Sequence, residues 1–275
     1  MANRSASTSA PFGLRPRVAA IVPAYNEATR VKAVLEVVRA CPLVDQVVVV
    51  NDGSTDDTAS RVLEVPGVYL LSLPRNVGKG GAMAAGARFT DADILLFLDA
   101  DLIGLKTEHV HSLLEPVISG RARMSVGRFT CGRYLTDLSQ RIAPSVSGQR
   151  AIHRSVFDAI PGVENARYGV EMLITRFCRY YRVETVAVPL SGVTHPMKEE
   201  KLGLLRGWAS RSRMYGQILR ILLDPRAPAQ RDGHRRILGL GTVPWSLTGT
   251  TRAMDGKARL HGVPRWVRRL PRRPR

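Results

Sequence analysis

The segment LLFLDADL, from Leu95 to Leu102, is apolar for four residues and then carries two carboxylates, Asp99 and Asp101, separated by one alanine. So short an apolar run does not suit a helix and is typical of a strand covered on both faces. Residues i and i+2 of an extended segment point to the same side. The two carboxylates can therefore face one hard divalent cation, and without a cation their like charges would repel.

The same alternation of a short apolar run and a helix-like segment recurs through the first hundred residues. The runs are VAAIV (18–22), VVVV (47–50), VYLLSL (68–73) and ILLFL (94–98), and the helical segments between them span 26–40, 55–64 and 78–89. The first two helical segments open on Asn26 and Thr55, which are side chains that commonly cap helices. This order predicts a doubly wound α/β fold, with a mostly parallel twisted sheet flanked by helices.

Beyond Asp101 the pattern is less regular. It predicts a helix over 107–119, a strand over 124–127, an irregular stretch to 148, a strand over 149–152, helical turns near Val156, a helix over 169–180 and a strand over 183–189. A basic helix over 201–223, apolar mainly on one side, closes the folded part. We therefore expect a disordered N-terminus over 1–17, a domain over 18–223 and a basic C-terminal extension over 224–275.

Most of the positive charge lies at the C-terminus. The net charge is +18, and residues 226–275 contribute +11 of it through thirteen Lys and Arg against two Asp. This composition predicts a mostly flexible tail. It either keeps the chain in solution or meets anionic lipid or an acidic partner, with Trp245 and Trp266 as interfacial anchors. Aromatic residues make up only 6% and do not alternate with the basic ones, so nucleic-acid binding is disfavoured.

The sequence contains no sign of a membrane span or a disulfide framework. No apolar run approaches the roughly 18 residues that a span requires, and residues 1–17 lack the apolar centre of a signal peptide. Cys41, Cys131 and Cys178 are odd in number and have no zinc-type spacing. We expect a cytoplasmic protein, with peripheral contact at the inner membrane face through the basic tail as an alternative.

Polar segments follow all four strand-like runs. They are PAYNE (23–27), NDGSTDDT (51–58), PRNVGKGGA (74–82) and DAD (99–101). Any one alone could be a turn or a helix cap, but ligands of open α/β sheets bind outside the carboxyl ends of the strands. The glycines of NVGKGGA let the backbone approach a phosphate at a helix start, and Lys79 adds a positive charge. Lys79 is followed by Gly80 rather than Ser or Thr, so this is not a Walker loop.

These blocks in this order resemble the family 2 glycosyltransferases with the GT-A fold. SGQRA (147–151), YGVEM (168–172) and SGVTHP (191–196) extend the resemblance to the bacterial branch near the glucosyl-3-phosphoglycerate synthases, over about residues 18–223. The resemblance implies transfer of a hexose from a UDP-sugar in the presence of Mg²⁺ or Mn²⁺. The acceptor stays unidentified, and a small phosphate or a polyprenyl phosphate would both fit.

The resemblance also implies the roles of individual residues. The nucleotide-sugar site would contain Pro23, Ala24, Tyr25, Glu27, Asn51, Asp52, Lys79, Gly80, Asp99 and Ala100. The metal site would contain Asp99, Asp101 and His195, and the catalytic residues would be Glu171 and Asp101. Gly132, Arg133 and Thr136 would bind the acceptor.

Several alternatives remain open at this point. Glu171 would be a general base in an inverting enzyme or would contact donor or acceptor in a retaining one, and it could instead only favour its helix start through the helix dipole. A sugar-phosphate nucleotidyltransferase shares such a sheet but normally opens on a glycine-rich loop with arginine, which PAYNE lacks. A non-catalytic basic protein that binds membrane or nucleic acid is a third alternative, and the sequence leaves open whether the chain forms a homodimer.

Overall fold

The fold is a single twisted sheet with helices on both of its faces. The computed structural model describes residues 15–130, 147–195 and 267–268. The strands are β1 Val18–Ala24, β2 Gln46–Asn51, β3 Tyr69–Ser72, β4 Ile94–Phe97, β5 Met124–Phe129, β6 Arg150–His153, β7 Thr185–Leu190 and β8 Val267–Arg268. The helices are α1 Val31–Ala40, α2 Thr58–Leu63, α3 Lys79–Phe89, α4 Thr107–Ile118, α5 Arg154–Asp158 and α6 Val170–Tyr180. Short 3-10 turns cover Val163–Asn165 and Arg167–Gly169.

The sheet is mixed but mostly parallel, as the sequence predicts. Its strand order is β7-β5-β6-β4-β1-β2-β3-β8. The four strands β4, β1, β2 and β3 run parallel to one another, and β5 runs parallel to β7. β6 is antiparallel to both of its neighbours, β4 and β5. The short β8 pairs antiparallel with β3, and the sequence pattern predicts no strand there.

Each face of the sheet has its own apolar core. Helices α1, α2 and α4 cover one face with side chains that include Leu35, Val62 and Leu113. Helices α3, α5 and α6 cover the other face with side chains that include Met83 and Phe157. The central strands β1, β2 and β4 are buried over nearly their whole length, which explains why their sequences are apolar throughout rather than alternating.

The first two helices begin later than the sequence predicts. Helix α1 begins at Val31 rather than at Asn26, and α2 begins at Thr58 rather than at Thr55. Asn26 has a positive φ of 56° and its side-chain Oδ1 accepts a hydrogen bond from the backbone N–H of Thr55 at 2.9 Å. The predicted caps are therefore wrong, because Asn26 joins two loops at the edge of the sheet and neither helix has a side-chain cap.

Some of the predicted elements lie outside the described residues. They are the helix over 201–223, most of the irregular stretch before 148, and the extension over 224–275 apart from Val267–Arg268. Within the ranges 15–130 and 147–195, no helix has the length and apolar character needed to cross a bilayer. Arg15 already belongs to the fold, because its guanidinium forms an ion pair with Asp45 at 2.8 Å.

Candidate active site

The four polar segments meet at one edge of the sheet, because the parallel strands β4, β1, β2 and β3 all end there. Backbone hydrogen bonds join these ends. The N–H of Asp52 donates to the carbonyl of Ala24 at 2.8 Å, and the N–H of Leu73 donates to the carbonyl of Asn51 at 2.9 Å. The crevice predicted from the sequence is therefore formed by adjacent strands of the parallel part of the sheet.

A lysine lies between two carboxylates at the centre of this edge. The Nζ atom of Lys79, at the first residue of α3, is 2.5 Å from Asp99 Oδ1 and 2.5 Å from Glu171 Oε1. Burial lowers the pKa of Lys79, but the negative charges of Asp99 and Glu171 raise it more, so the net pKa is raised. Burial likewise raises the pKa of Asp99, and the charges of Lys79 and His195 lower it more, so Asp99 is held ionised.

His195 lies against the pair of aspartates. Its Nδ1 is 3.1 Å from Asp101 Oδ1, and its Nε2 is 3.6 Å from Asp99 Oδ2. The ring of Phe129 packs edge-on against the imidazole, with 5.0 Å between centroids. Burial lowers the pKa of His195, whereas the hydrogen bond with Asp101 and the two carboxylate charges raise it, and the net pKa is raised.

Asp99, Asp101 and His195 together have the geometry of a metal site. Each offers one ligand atom, and the three atoms lie within 4.8 Å of one another. A single cation can reach all three, and a set of two carboxylates and one imidazole suits Mn²⁺ among the divalent ions. Asp99 is also tied to the protein, because its Oδ2 accepts a hydrogen bond from Gln149 Nε2 at 2.8 Å.

Asn51 and Asp52 are both buried and both bind backbone groups of neighbouring loops. The Asn51 side chain accepts from the N–H of Ser54 at 3.0 Å. The carboxylate of Asp52 accepts from the N–H groups of Val77 at 2.7 Å and Gly78 at 2.9 Å. Burial raises the pKa of Asp52, although these two donors oppose the shift. The carboxylate of Asp52 thus holds the loop before α3. From the sequence alone, the glycines of this loop are expected to allow the approach of a phosphate.

The glycines at the start of α3 allow close packing. A Cβ atom added to Gly80 would lie 2.2 Å from the carbonyl oxygen of Val163, and one added to Gly78 would lie 3.0 Å from Cβ of Arg167. Gly78 also has a φ of 89°, which only glycine adopts readily. These residues therefore bring α3, and with it Lys79, close to the 3-10 turns that lead into α6.

The remaining nucleotide-site candidates lie at the end of β1 and beside the aspartates. Pro23 and Ala24 are the last residues of β1, Tyr25 follows them with 44% of its surface exposed, and the backbone N–H of Glu27 donates to Thr58 Oγ1 at 2.8 Å. Ala100 is buried between Asp99 and Asp101. All of them belong to the edge that carries Lys79. The acceptor candidates Gly132, Arg133 and Thr136 lie outside the described residues.

Three residues of the site were missed as individual candidates, although they fall in the quoted block SGQRA. A Cβ atom on Gly148 would lie 2.5 Å from Asp99 Oδ2 and 2.6 Å from Lys79 Nζ, so the chain passes directly against this ion pair. Gln149 donates to Asp99, and Arg150 is completely buried below. A glycine followed by two long polar residues at the start of an otherwise apolar strand was the signal that could have identified them.

Over part of its length, this chain is similar to curated transferases. It is 27% identical over 183 residues to a dolichyl-phosphate beta-glucosyltransferase of Trichomonas vaginalis, covering 59% of this chain and 54% of that protein. It is 26% identical over 213 residues to an undecaprenyl-phosphate 4-deoxy-4-formamido-L-arabinose transferase of Sodalis glossinidius, covering 69% of this chain and 64% of that protein. The chain thus spans 54% to 64% of the length of these relatives.

A solved structure shares the fold. The crystal structure of glucosyl-3-phosphoglycerate synthase from Mycobacterium tuberculosis, in complex with Mn²⁺, UDP-glucose and phosphoglyceric acid, matches with a TM-score of 0.61 and 25% identity, over 75% of this chain and 79% of that one. The GT-A fold predicted from the sequence is confirmed by this match. The model of the family described as Glycosyl transferase family 2 matches residues 19–184, which is more than half of the sequence. The chain belongs to glycosyl transferase family 2.

Proposed function

We propose that this chain transfers a hexose from a UDP-sugar to an acceptor that carries a phosphate, with Mn²⁺ or Mg²⁺ bound at Asp99, Asp101 and His195. The observation that carries the proposal is the convergence of these three ligands at the carboxyl ends of parallel strands, beside Lys79 and Glu171. In a member of this family, such a site favours glycosyl transfer over nucleotidyl transfer and over a non-catalytic binding role.

The donor is inferred from chemistry and from one relative. A metal site next to a lysine suits a diphosphate, because the cation and the ammonium group both balance its negative charge. The relative from Mycobacterium tuberculosis was crystallised with Mn²⁺ and UDP-glucose. A UDP-hexose is therefore the donor that we expect for this chain.

The acceptor is proposed by its chemical class. The two transferases named above are described as acting on dolichyl phosphate and undecaprenyl phosphate, and the solved relative contains phosphoglyceric acid. The two polyprenyl phosphates differ greatly from phosphoglyceric acid, but all three molecules carry an anionic phosphate group. We therefore expect a phosphorylated acceptor, and Gly132, Arg133 and Thr136 remain our candidates for binding it.

Each residue of the cluster has a proposed part in the reaction. When bound, the cation supplies positive charge at the diphosphate that leaves. Lys79 would bind the same diphosphate through its ammonium group. Glu171 would face the reacting sugar, and it would accept the proton of the acceptor hydroxyl if the enzyme inverts or hold the donor or acceptor in place if it retains. We place Asp101 among the catalytic residues because it holds the metal.

The end of β1 and the start of the NDGSTDDT block would hold the nucleoside. Pro23, Ala24 and Tyr25 would contact the base, and Glu27 and Asn51 would contact the base or ribose. Asp52 would act mainly through the loop that it holds. We further propose that the transferase domain spans 18–223 in the cytoplasm and that the basic extension over 224–275 touches the inner face of a membrane.

A thermal-shift experiment tests the proposal. We expect UDP with Mn²⁺ to raise the Tm by about 5 °C or more when UDP is at about 100 times its Kd. UDP without metal should raise it much less. UDP-glucose with Mn²⁺ should release UDP in an enzyme-coupled assay by slow hydrolysis, in which water takes the glucosyl group in place of the acceptor. Asp101→Ala should remove both effects, because it deletes a ligand of the cation.

The control is an aspartate at the opposite end of the sheet. Asp91 precedes β4, and 78% of its side chain is exposed in an ion pair with Arg17. Asp91→Ala should retain the Tm rise and the UDP release. If GDP-sugars or dTDP-sugars turned over better than every UDP-sugar in a screen, the proposed donor would be wrong. If no combination of nucleotide and metal raised the Tm, the proposed transferase function would be wrong.

A further inference from the structure

Arg150 is a buried cation below the proposed active site. It is the first residue of β6, its side chain has 0% exposure, and it is the largest fully buried side chain that the structure describes. Its Nη2 donates to the backbone carbonyl of Ser147. Its Nε and Nη1 find no hydrogen-bond partner among the described residues. An arginine in such a place keeps its charge and must be balanced by nearby negative charge.

The strand register places Arg150 next to the metal candidates. Arg150 pairs with Phe97 of the antiparallel neighbour β4, and Phe97 precedes Asp99 by two residues. The residue before Arg150 is Gln149, whose side chain donates to Asp99 at 2.8 Å. The backbone that carries Arg150 is therefore fixed to one of the two carboxylates that share Lys79.

The other carboxylate, Glu171, approaches from helix α6. Glu171, Ile174 and Cys178 are all buried and lie on one face of this helix, since they follow one another at three- and four-residue spacing. Cys178 Sγ is 3.8 Å from the sulfur of Met124 in β5, which is the strand that pairs with β6. The face of α6 that carries Glu171 thus covers the part of the sheet that contains Arg150.

Arg150 adds a permanent positive charge near the two carboxylates that Lys79 contacts. Asp99 and Glu171 both contact Lys79 at 2.5 Å, so one ammonium group faces two carboxylates. Burial lowers the pKa of Arg150, while the charge of Glu171 and, less strongly, that of Asp99 raise it. The carboxylates of Glu171, which is buried, and Asp99, which is partly buried, therefore have one cation at the open side of the site and another beneath it.

We propose that Arg150 is a positioning residue for Glu171, and that its buried guanidinium holds the Glu171 carboxylate in place by charge attraction when Lys79 binds the donor diphosphate. This proposal deepens the proposed function and rests on it. Lys79 is exposed by 21% and can reach a ligand, whereas Arg150 cannot leave its buried position. Arg150 therefore provides the positive charge that remains with Glu171 throughout the reaction.

The test combines three variants of the full-length chain. Arg150→Met removes the charge with little change in volume, Arg150→Lys keeps the charge, and Glu171→Gln removes the carboxylate charge. With UDP-glucose and Mn²⁺, we expect Arg150→Met to lower kcat for UDP release about 30-fold or more and to change KM for UDP-glucose about threefold at most. Arg150→Lys should recover about tenfold of that loss. In the Glu171→Gln background, Arg150→Met should cost almost nothing further.

A stability cycle on the same variants needs no substrate. In the ligand-free chain, Arg150→Met leaves Asp99 and Glu171 to share the single ammonium group of Lys79 and should lower the Tm by about 5 °C or more. In the Glu171→Gln background, the same change should lower the Tm by less than half as much. If the chain turned over no UDP-sugar, the proposed function would be wrong. The Tm values of these variants would still measure the coupling between Arg150 and Glu171.

Three results would overturn the proposal. The first is equal Tm losses from Arg150→Met with and without Glu171→Gln, which would show that the guanidinium is only a filler of the core. The second is a kcat for Arg150→Lys as low as that of Arg150→Met. If Arg150→Met does not fold, the same comparison is made with Arg150→Gln. The third is a large rise in KM with unchanged kcat.

Discussion

Gly148→Ala perturbs the site directly and removes no charged side chain. The added Cβ would lie 2.5 Å from Asp99 Oδ2, 2.6 Å from Lys79 Nζ and 2.8 Å from Asp99 Oδ1. Ordinary contact begins at 3.4 Å, so the nearest of these atoms must withdraw by about 0.9 Å. All three atoms are at the ends of side chains that can rotate, and the fold should therefore survive while the ion pair is displaced.

The expected magnitude follows from this displacement. A shift of about 1 Å at a reacting centre can cost on the order of 100-fold in rate, or about 2.7 kcal/mol of transition-state stabilisation. We expect Gly148→Ala to lower UDP release from UDP-glucose by about this factor. The Kd for UDP in the presence of Mn²⁺, measured by calorimetry, should rise at least about tenfold, because a charged hydrogen bond is worth about 1.5–3 kcal/mol.

Gly120→Ala is the matched control for this variant. Gly120 follows α4 with a φ of 74°, and a Cβ atom there meets nothing within 4 Å. The control should lose about 1 kcal/mol of stability through its backbone and keep full activity. A Gly148→Ala protein with wild-type turnover and wild-type UDP affinity would refute the reasoning, because the position of the Lys79–Asp99 pair would then not matter.

Three further perturbations have defined outcomes. Gly86→Ala would place a Cβ atom 2.4 Å from a methyl group of Ile21, so urea unfolding should show a loss of about 1–3 kcal/mol, with unchanged UDP affinity. Asp52→Ala would leave the buried N–H of Gly78 and the part-buried N–H of Val77 without their acceptor, and it should lower the free energy of unfolding by about 2–3 kcal/mol in the same assay. Because the pKa of His195 is raised, protons compete with Mn²⁺ for its imidazole at pH values above the usual pKa of histidine. A calorimetric titration should show the affinity for Mn²⁺ falling about tenfold for each pH unit below that pKa. A flat profile from pH 8 to pH 5.5 would contradict metal ligation by His195.

The parallel half of the sheet could be predicted from the sequence because its strands are covered on both faces. Burial on both faces requires unbroken apolar runs, such as ILLF in β4, and these are visible without a structure. The helix starts could not be predicted in the same way. Asn26 has the chemistry of a cap, but its side chain bonds across to the loop of Thr55, which is a contact between segments far apart in the chain.

The site residues differ in the same way, because some could be recognised from local sequence and others could not. Asp99 and Asp101 were recognisable because their spacing alone places them on one side of an extended chain. The part played by Gly148 depends on the antiparallel return of β6 beside β4, which no local pattern specifies. Arg150 was missed for a related reason, since arginine side chains are usually exposed and only the folded structure shows that this one is buried.

Lys79 connects the two halves of the proposed chemistry. Its Nζ is 2.5 Å from Asp99, which belongs to the metal side, and 2.5 Å from Glu171, which belongs to the side of the reacting sugar. A diphosphate that draws the ammonium group toward itself must weaken one or both of these contacts, because Nζ then moves away from carboxylate oxygens that lie only 2.5 Å from it. Donor binding should therefore weaken the contact between Lys79 and Glu171, and Arg150 is the cation that we propose then keeps the Glu171 carboxylate in place.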